Sequence, residues 1–525
     1  MRRRIPFGPV PGLLLLAVAC GQSSETRAGD ESPTDPPRPA APTSDGGAGA
    51  IAPDAAPPPE REVESAFESP VATGNFVWVT NPKSGRVAYI DARTLLVRTV
   101  DAGNGPTFLA AVPGQTADTT VVLNVLSNDA SVLRATSNGI DVRQVKVAKD
   151  ANAWAFSSDG RYAIAWADSK RRPAAPKTEG FQDLTVIDLV GTTPPTVLAV
   201  GYRPVVVGFA RGAPLAHAVT QDGVAIVDLS SSPPRLVKNV PISATPTEEP
   251  GTRDVAVTPD GKLALVRRDG SAQVTVVSLE TGQRVDVTLN GPVTDLDMSE
   301  AGDKAVAVVR STSTAVVIPI PGVLGQPTSV KNVTVTGETV GSVVLSSDGN
   351  TAMLYTNASQ TERITVMNLA ATPDPTFRVV RLYSPVLAAF AAPDARHATI
   401  LHDLKTSDGA FSLVPLGSDL PAKIVAMKAK PTQVAMTSEV AIVAERGDAQ
   451  KIYGAYLAKL PSFQVERFAL ASPPISVGVV PSAKRAFVAQ EHPEGRITFL
   501  DLDTGLARTL TGFELASRVV DGSKP

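Results

Sequence analysis

The stretch from Asp254 to Asn290, DVAVTPDGKLALVRRDGSAQVTVVSLETGQRVDVTLN, indicates the fold of the whole chain. It contains four short runs rich in β-branched residues. Tight turns separate these runs, including Pro259–Lys262 and Glu280–Gln283. Short β-branched runs bounded by Asp-Gly and Thr-Gly turns are typical of antiparallel hairpins. The stretch therefore predicts a four-stranded antiparallel sheet.

The same unit recurs about ten times, so the chain is a repeat protein. A single sheet of this kind cannot bury both of its faces, and repeated sheets must pack on their neighbours. Asp-Gly turns follow the first strand in several units, as at Ser158–Gly160 and Ser347–Gly349. A proline enters the first strand of six units, at Pro106, Pro204, Pro292, Pro385, Pro431 and Pro474.

Three segments resemble the YVTN family of repeats. Trp78–Asn81 stands where that family has Tyr-Val-Thr-Asn, Val87–Asp91 is similar to its valine-alternating strand, and Val257–Gly261 is similar to its Val-Ser-Pro-Asp-Gly turn. The resemblance extends from Asn75 to Val520 and implies an all-β fold. That fold is a β-propeller of four-stranded antiparallel blades.

We expect one ring, built from an incomplete first unit and nine full units. The first unit supplies three strands, and Leu515–Val520 has the apolar pattern of the missing one, so the two chain ends would close the ring. Deleting Leu515–Pro525 is then expected to lower the melting temperature. The stretches 106–149 and 432–473 carry the weakest repeat pattern. Fewer blades or two smaller rings remain open alternatives, because propellers usually have four to eight blades.

The N-terminus has the features of an export signal. Three arginines precede an apolar run that is too short to span a membrane. The run ends at Ala17–Cys20 and resembles the bacterial lipobox, which implies acylation of Cys20 and attachment to a lipid bilayer. The alternative is an ordinary signal peptide with a chance cysteine. Gly21 after the cysteine implies the outer membrane.

We predict a signal peptide over residues 1–20, a disordered tether over 21–74 and a propeller over 75–525. Residues 21–74 are rich in Pro, Ala, Ser and Gly and offer little apolar surface to bury. The full chain of 525 residues has a net charge of -3, and removing Arg2, Arg3 and Arg4 leaves 46 basic and 52 acidic residues, a charge of -6. This balance predicts no nucleic-acid partner. The single cysteine excludes an internal disulfide.

Catalytic patterns are not found in the sequence, so the predicted protein is not an enzyme. The four histidines, His217, His397, His402 and His492, are assigned to separate repeat units, and no zinc or haem spacing is present, so no metal and no cofactor are expected. The Gly-x-Ser-x-Gly elbow of fused peptidases is missing. Asp501–Gly505 is similar to a fragment of a calcium loop but lacks its later ligands.

A long basic loop is the main departure from the repeat. The segment Asp168–Gly180 lies between a second and a third strand, and the link Pro241–Arg253 is also long. Long loops on one face of a rigid scaffold are frequent binding sites, although a tolerated insertion is the simpler explanation. The predicted partner-binding residues are Lys170, Arg171, Arg172, Lys177 and Arg253.

We therefore predict a lipid-anchored, non-catalytic scaffold on the cell envelope that binds a protein or an anionic glycan. The alternative is a hydrolase of the lactonase type, because similar propellers hydrolyse sugar lactones. Its site would need charged side chains that converge at the channel mouth. Arg203, Arg253 and Asp254 are the candidates, since they lie near the entrances of first strands.

Overall fold

The computed structural model describes residues 68–168, 171, 182–243 and 248–513. These residues form ten four-stranded antiparallel sheets, here called blades 1 to 10 in chain order. Each blade uses four consecutive strands, which confirms the predicted fold class. The described helices are five single 3-10 turns, at Pro250–Thr252, Arg310–Thr312, Gly322–Leu324, Pro327–Ser329 and Pro481–Ala483. No described helix has the length and apolar character that crossing a membrane requires.

The strands of the first five blades are short, from two to eight residues. Blade 1 contains β1 (Val71–Ala72), β2 (Phe76–Asn81), β3 (Arg86–Asp91) and β4 (Val97–Asp101). Blade 2 contains β5 (Pro106–Ala111), β6 (Thr119–Asn124), β7 (Asp129–Thr136) and β8 (Gly139–Lys146). Blade 3 contains β9 (Ala153–Phe156), β10 (Tyr162–Trp166), β11 (Asp183–Asp188) and β12 (Thr196–Ala199). Blade 4 contains β13 (Val206–Phe209), β14 (Leu215–Val219), β15 (Val224–Asp228) and β16 (Arg235–Val240). Blade 5 contains β17 (Arg253–Val257), β18 (Leu263–Arg268), β19 (Gln273–Ser278) and β20 (Arg284–Thr288).

The second half of the array follows the same order. Blade 6 contains β21 (Asp295–Met298), β22 (Lys304–Val309), β23 (Thr314–Pro319) and β24 (Lys331–Thr334). Blade 7 contains β25 (Ser342–Leu345), β26 (Thr351–Tyr355), β27 (Arg363–Asn368) and β28 (Thr376–Arg381). Blade 8 contains β29 (Val386–Ala391), β30 (His397–His402), β31 (Gly409–Pro415) and β32 (Lys423–Met427). Blade 9 contains β33 (Lys430–Met436), β34 (Val440–Gly447), β35 (Ile452–Lys459) and β36 (Gln464–Ala469). Blade 10 contains β37 (Pro474–Val480), β38 (Arg485–Gln490), β39 (Arg496–Asp501) and β40 (Ala507–Thr511).

Apolar packing between neighbouring blades forms the core. Every consecutive pair of blades shares a buried cluster of apolar side chains. A further cluster joins blade 10 to blade 1, where Phe487 and Phe499 pack with Val77 and Ile90. The ten blades therefore close into one ring, and the alternative of two smaller rings is excluded.

Blade 1 has one strand more than the sequence predicted. The first unit does not lack a strand, because β1 pairs with β2 through Val71 and Trp78. Ring closure consequently relies on side-chain packing between two complete blades, not on one shared blade. The two-residue strand gave no alternating pattern, and it falls inside the segment that was predicted as tether up to residue 74. The segment Leu515–Val520 lies outside the described residues.

The two stretches with the weakest repeat pattern form regular blades. Blade 2 includes β7 and β8, and blade 9 includes β34 and β35, all eight residues long. These four strands are among the longest in the ring. Their extra length adds paired residues, while the Asp-Gly turn that marks other units is missing.

Strand position within a blade determines exposure. First strands lie nearest the axis, and neighbouring first strands are close enough for direct bonds, as when Trp154 Nε1 donates to Phe108 O at 2.9 Å. Second and third strands are mostly buried, and fourth strands form the rim, where β16 is almost entirely exposed. Two faces follow from the antiparallel order. The connector face carries the loops between second and third strands and the links between blades, and the turn face carries the other turns.

The proline in a first strand produces a register shift. Pairing slips by one residue after Pro106, Pro431 and Pro474. Proline has no backbone N–H to donate, so the ladder cannot continue through it. The residue paired with each of these prolines is polar and buried: Asn124, Glu445 and Gln490.

These polar residues belong to a hydrogen-bonding arrangement that recurs at the end of the second strand. In five blades the residue there bonds both to a third-strand side chain and to the backbone of the incoming connector. Gln490, for example, donates to Thr498 Oγ1 at 2.7 Å and accepts from Ser472 N at 3.2 Å. We call these residues hub residues; they are Asn124, Arg268, His402, Glu445 and Gln490. They satisfy backbone groups that would otherwise be buried without partners.

Two of the histidines are buried. His217 faces Gly208, where a Cβ atom would come within 2.6 Å of the ring Nε2, so glycine is required for this packing. His402 accepts from Ser412 through Nε2 at 2.7 Å and donates through Nδ1 to Pro385 O. Burial lowers the pKa of each imidazole to about 4. The assignment of the four histidines to separate units was wrong, because His397 and His402 are the two ends of β30.

We predict that acid destabilises the ring through these two imidazoles. Both remain neutral in the folded chain down to about pH 4, whereas the ordinary pKa is 6.5. The unfolded state therefore binds more protons between these values, and stability is complete above pH 6.5 and falls as the pH drops through this window. Each histidine contributes about 2–3 kcal/mol to the loss.

The substitution His402→Gln tests this pH dependence, because glutamine is the hub residue of blade 10 and does not titrate. Urea unfolding at pH 7 and at about pH 4.5 should show a difference that is smaller than wild type by about 2–3 kcal/mol. His492→Gln, in a loop of the connector face, is the control and should keep the wild-type difference. An unchanged difference in the His402 variant would contradict the assignment.

Candidate functional site

The first strands that line the channel differ in exposure. The first strands of blades 9 and 10, β33 and β37, are buried along almost their whole length. The first strands β5, β9, β13 and β21 are partly exposed along most of theirs. We call the wall formed by β5, β9, β13, β17 and β21 the open arc. It is an inner surface that a ligand in the channel can contact.

Blades 2 to 4 make the open arc aromatic. Trp154 and Phe156 alternate on β9 and stack with ring centroids 6.0 Å apart and planes inclined by 19°. Phe108 on β5 and Phe209 on β13 flank them and are also half-buried. These rings pack against the apolar clusters between blades, and each residue is only partly buried. Half-exposed aromatic rings provide large, rigid contact area for a ligand.

Blades 5 and 6 make the other end of the open arc acidic. Asp295 and Asp297 alternate on β21 and accept from Val343 N and Leu345 N, each at 2.9 Å. These carboxylates replace the backbone pairing that two separate first strands cannot make. Asp254 on β17 instead binds Arg267, in a contact that also includes Asp269 on the connector face. The carboxylates of the arc are thus all engaged within the protein.

The connector between blades 4 and 5 is held by a buried ion-pair network. Glu248 accepts from Arg253 Nη1 at 2.7 Å and from Arg268 Nε at 2.7 Å. Arg253 Nη2 also donates to Thr220 O and Gln221 O, both at 2.9 Å. Burial raises the pKa of Glu248, but the hydrogen bonds from both arginines outweigh it and hold that pKa below its ordinary value. The two cations are therefore neutralised largely by one ionised carboxylate.

The predicted binding residue Arg253 is occupied by this network. Its side chain is 1% exposed, so the guanidinium contacts the connector and not the solvent. The sequence shows Arg253, but it does not show that the chain folds back so that Glu248, five residues earlier, pairs with it. Arg203, a candidate of the lactonase-type alternative, is likewise paired with Glu249 at 2.9 Å.

The start of the basic loop is anchored to blade 3. Arg171 lies 3.4 Å from the Asp168 carboxylate and donates to Asn152 O at 3.1 Å. Asp168 N in turn donates to Asn152 Oδ1 at 2.7 Å. This arrangement places the loop entrance on the connector face, beside the open arc. Lys170, Arg172 and Lys177 lie outside the described residues, as does Cys20.

The charged residues of the lactonase-type alternative are all paired within the protein. Arg203, Arg253 and Asp254 each bind a different partner. Within the described part of the chain, no group of three or more His, Cys, Asp or Glu side chains is arranged to hold a metal ion. Asp501, in the calcium-like fragment, accepts the N–H groups of Asp503 and Thr504 and so closes an ordinary turn.

Comparison with known proteins shows a likeness in fold alone. No protein-family model and no curated protein matches the chain. Among solved structures, a eukaryotic initiation factor is 13% identical over 81% of this chain and 93% of its own, with a TM-score of 0.47. The protein AztD from Citrobacter koseri is 14% identical over 66% of this chain and 94% of its own, with a TM-score of 0.40. The dihydro-heme d1 dehydrogenase NirN is 14% identical over 68% of this chain and 74% of its own, with a TM-score of 0.42.

Sequence reasoning missed the open arc. The alternation of Trp154 and Phe156 marks one side of a strand, but it gives no indication that this strand is more accessible than β33 or β37. Asp295 and Asp297 show the same spacing of two residues. That spacing in a first strand is the available signal for side chains that reach toward the next blade.

Removing the Glu248 carboxylate should destabilise the link between blades 4 and 5. Glu248→Ala leaves Arg268 and the buried Arg253 without their shared anion, and breaking a buried pair costs about 3–5 kcal/mol. Thermal and urea unfolding measure the loss. The neighbouring variant Glu249→Ala removes an exposed partner of Arg203 and should cost no more than about 1 kcal/mol. Equal effects of the two variants would contradict the network.

Proposed function

We propose that this β-propeller is a non-catalytic binding module of the cell envelope, anchored by lipid on Cys20 and similar to YVTN-type repeat proteins. Its ligand is a protein segment or a glycan that enters the channel from the connector face and contacts the open arc. The basic loop Asp168–Gly180 contributes further contacts to an acidic partner, through Lys170, Arg171, Arg172 and Lys177. A binding role without chemistry is the function that the geometry supports best.

One observation carries this proposal: the aromatic part of the open arc stays half-exposed inside a closed ring. Core aromatic residues elsewhere in the ring, such as Trp78 and Phe411, are fully buried. Leaving Trp154, Phe156 and Phe209 partly accessible forgoes part of the hydrophobic stabilisation that burial would supply, about 25 cal/mol per Å2 of apolar surface. Aromatic residues in recessed, rigid positions are the usual anchors of binding surfaces.

The charged groups near the mouth support binding over catalysis. A general acid or base needs a side chain that is free to exchange a proton with a substrate. Asp295 and Asp297 are instead bonded to backbone N–H groups, whereas Asp254 pairs with Arg267 and remains exposed. Asp295 and Asp297 thereby join blades 6 and 7, at the end of the open arc away from the aromatic rings.

Truncating the exposed tryptophan should weaken ligand binding and leave the fold intact. Trp154→Ala removes the centre of the aromatic wall, and a central aromatic contact is worth about 2 kcal/mol or more, about 30-fold in affinity. Immobilised wild type and variant are incubated separately with solubilised envelope proteins and with peptidoglycan fragments, and the bound amounts are compared. We expect retention to fall sharply for one of these two pools.

The matched control is Phe377→Ala, which removes an aromatic side chain that is 38% exposed on the outer strand of blade 7. It changes surface aromaticity without touching the channel, so it should retain the ligand as wild type does. If Trp154→Ala retains the same amounts as wild type from both pools, the open arc is not the binding surface.

The anchor is tested independently. Cys20→Ser should give an unlipidated protein, because the glyceride is transferred to the cysteine sulfur. Cells that express the variant are fractionated, and the protein is expected in the soluble fraction, while wild type sediments with membranes. A variant that sediments like wild type would refute lipid anchoring and would leave the binding proposal unaffected.

A further inference from the structure

Arg310 lies at the mouth of the channel on the connector face, between blades 6 and 7. It follows β22, the second strand of blade 6, and its guanidinium lies against Gly341, the residue before the first strand of blade 7. A Cβ atom at position 341 would come within 2.8 Å of Nη2 and 3.0 Å of Cζ, so glycine leaves the space that the guanidinium occupies. Thr294, the residue before β21, donates to Gly341 O at 2.8 Å. The guanidinium is therefore next to the connector ends of two neighbouring first strands.

The guanidinium of Arg310 has no partner in the part of the chain that the structure describes. Its Nε atom is buried without a hydrogen bond, whereas Nη1 and Nη2 are accessible. Every other described arginine that is buried or half-buried binds an acceptor or interacts with a carboxylate, as Arg485 does with Asp501. Burying a donor without a hydrogen bond costs stability, and an uncharged side chain of similar length would fill the space without that cost.

The carboxylates of the adjoining segments are engaged with other groups. Asp295, at the start of β21, accepts a backbone N–H of blade 7 at 2.9 Å. Glu338, in the link between blades 6 and 7, lies 3.0 Å from Arg363. The link between blades 4 and 5 differs, because there Glu248 binds two arginines. Among the described residues, Arg310 thus lacks the kind of anion that the arginines of blade 5 have.

A carboxylate is the ligand group that suits this arginine. The Nη1 and Nη2 atoms of a guanidinium donate in parallel to the two oxygens of a carboxylate. One arginine also balances the single charge of one carboxylate. A phosphate group carries up to two charges, and the flanking carboxylates of Asp295 and Glu338 would repel the second. The site therefore favours a carboxylate over a phosphate.

The backbone at this seam favours a sugar over a peptide as the carrier of the carboxylate. Gly341 O accepts from Thr294, and Val343 N and Leu345 N donate to carboxylates of β21. An extended peptide needs backbone partners, and it would find these groups occupied. The hydroxyl groups of a sugar can instead remain hydrated at the mouth, while its ring can lie on half-exposed aromatic side chains such as those of the open arc.

We propose that Arg310 binds the carboxylate of an acidic sugar in a glycan that enters the channel from the connector face. This inference rests on the proposed function, and it selects a glycan over a protein segment. Gly341 holds the guanidinium at the mouth, so that Nη1 and Nη2 are available before the ligand arrives. The site lies between blades 6 and 7, whereas the aromatic part of the open arc belongs to blades 2 to 4.

Small probes of similar size test the site without the natural ligand. Saturation-transfer NMR on the full-length protein compares methyl glucuronoside with methyl glucoside, blocked aspartate and glucose 6-phosphate. The glucuronoside should bind with a Kd below about 10 mM, and more tightly than the other three probes. Arg310→Gln should weaken glucuronoside binding at least about tenfold, because the charged hydrogen bonds are lost. Arg508→Gln, at an exposed arginine of the outer strand β40, is the control and should bind like wild type.

Gly341→Ala tests the geometry without removing the charge. The added methyl group would displace the guanidinium, so glucuronoside binding should weaken although Arg310 is present. Melting curves of the variants distinguish binding from a structural role. Arg310→Gln should melt at the wild-type temperature or above, because no internal partner is lost.

Several outcomes would overturn the proposal. These are no glucuronoside binding to wild type, equal binding to Arg310→Gln, or tighter binding of the aspartate or phosphate probe. A fall in melting temperature of Arg310→Gln as large as that of Glu248→Ala would assign the arginine to the fold instead. Arg310-dependent glucuronoside binding together with unchanged retention by Trp154→Ala would keep this site and refute the open arc, so the two proposals can fail separately.

Discussion

Side-chain packing between adjacent blades is the interaction on which the rest of the structure depends. Each blade is a sheet with two apolar faces, and only a neighbour on each side can cover both. The chain meets this requirement ten times, the last time between Phe487 and Phe499 of blade 10 and Val77 and Ile90 of blade 1. A buried Val, Leu, Ile or Phe side chain contributes about 1.5–3 kcal/mol, so each shared cluster is a substantial share of the total stability.

Closing the ring buries polar backbone groups, and the hub residues provide hydrogen-bond partners for them. Each connector passes from the rim back to the axis and carries backbone groups into a buried region. Glu445 is an example: it is fully buried and accepts hydrogen bonds from Lys428 N, Ala429 N and Arg467. Several charged side chains of the connector face are likewise paired within the protein, as Glu248 is with Arg253. The aromatic residues of the open arc, by contrast, stay only partly buried.

Much of the fold could be predicted from the sequence, because alternation, turns and proline marks are local. The hub residues could also have been found, since a polar residue repeatedly ends an otherwise apolar second strand, as in Asn124, His402 and Gln490. Other features depend on contacts between distant residues. β1 is too short to show a pattern, the pairing of Arg253 depends on the path of its connector, and the exposure of Trp154 depends on which first strands approach each other. The fold could thus be predicted from local patterns, whereas the surroundings of the site residues could not.

An engineered disulfide between blades 10 and 1 measures ring closure in solution. Ser482 Oγ donates to Gly74 O, and Arg93 Nη2 donates to Ser482 O at 3.2 Å, although these partners come from opposite ends of the array. In a Cys20→Ser background, Gly74→Cys with Ser482→Cys should form an intramolecular disulfide under mild oxidation. The control pair, Thr498→Cys with Thr509→Cys, lies within blade 10, where the two threonine hydroxyls are 2.8 Å apart. Both pairs are expected to oxidise in the monomer. Oxidation of the control pair alone would show that blades 1 and 10 do not meet.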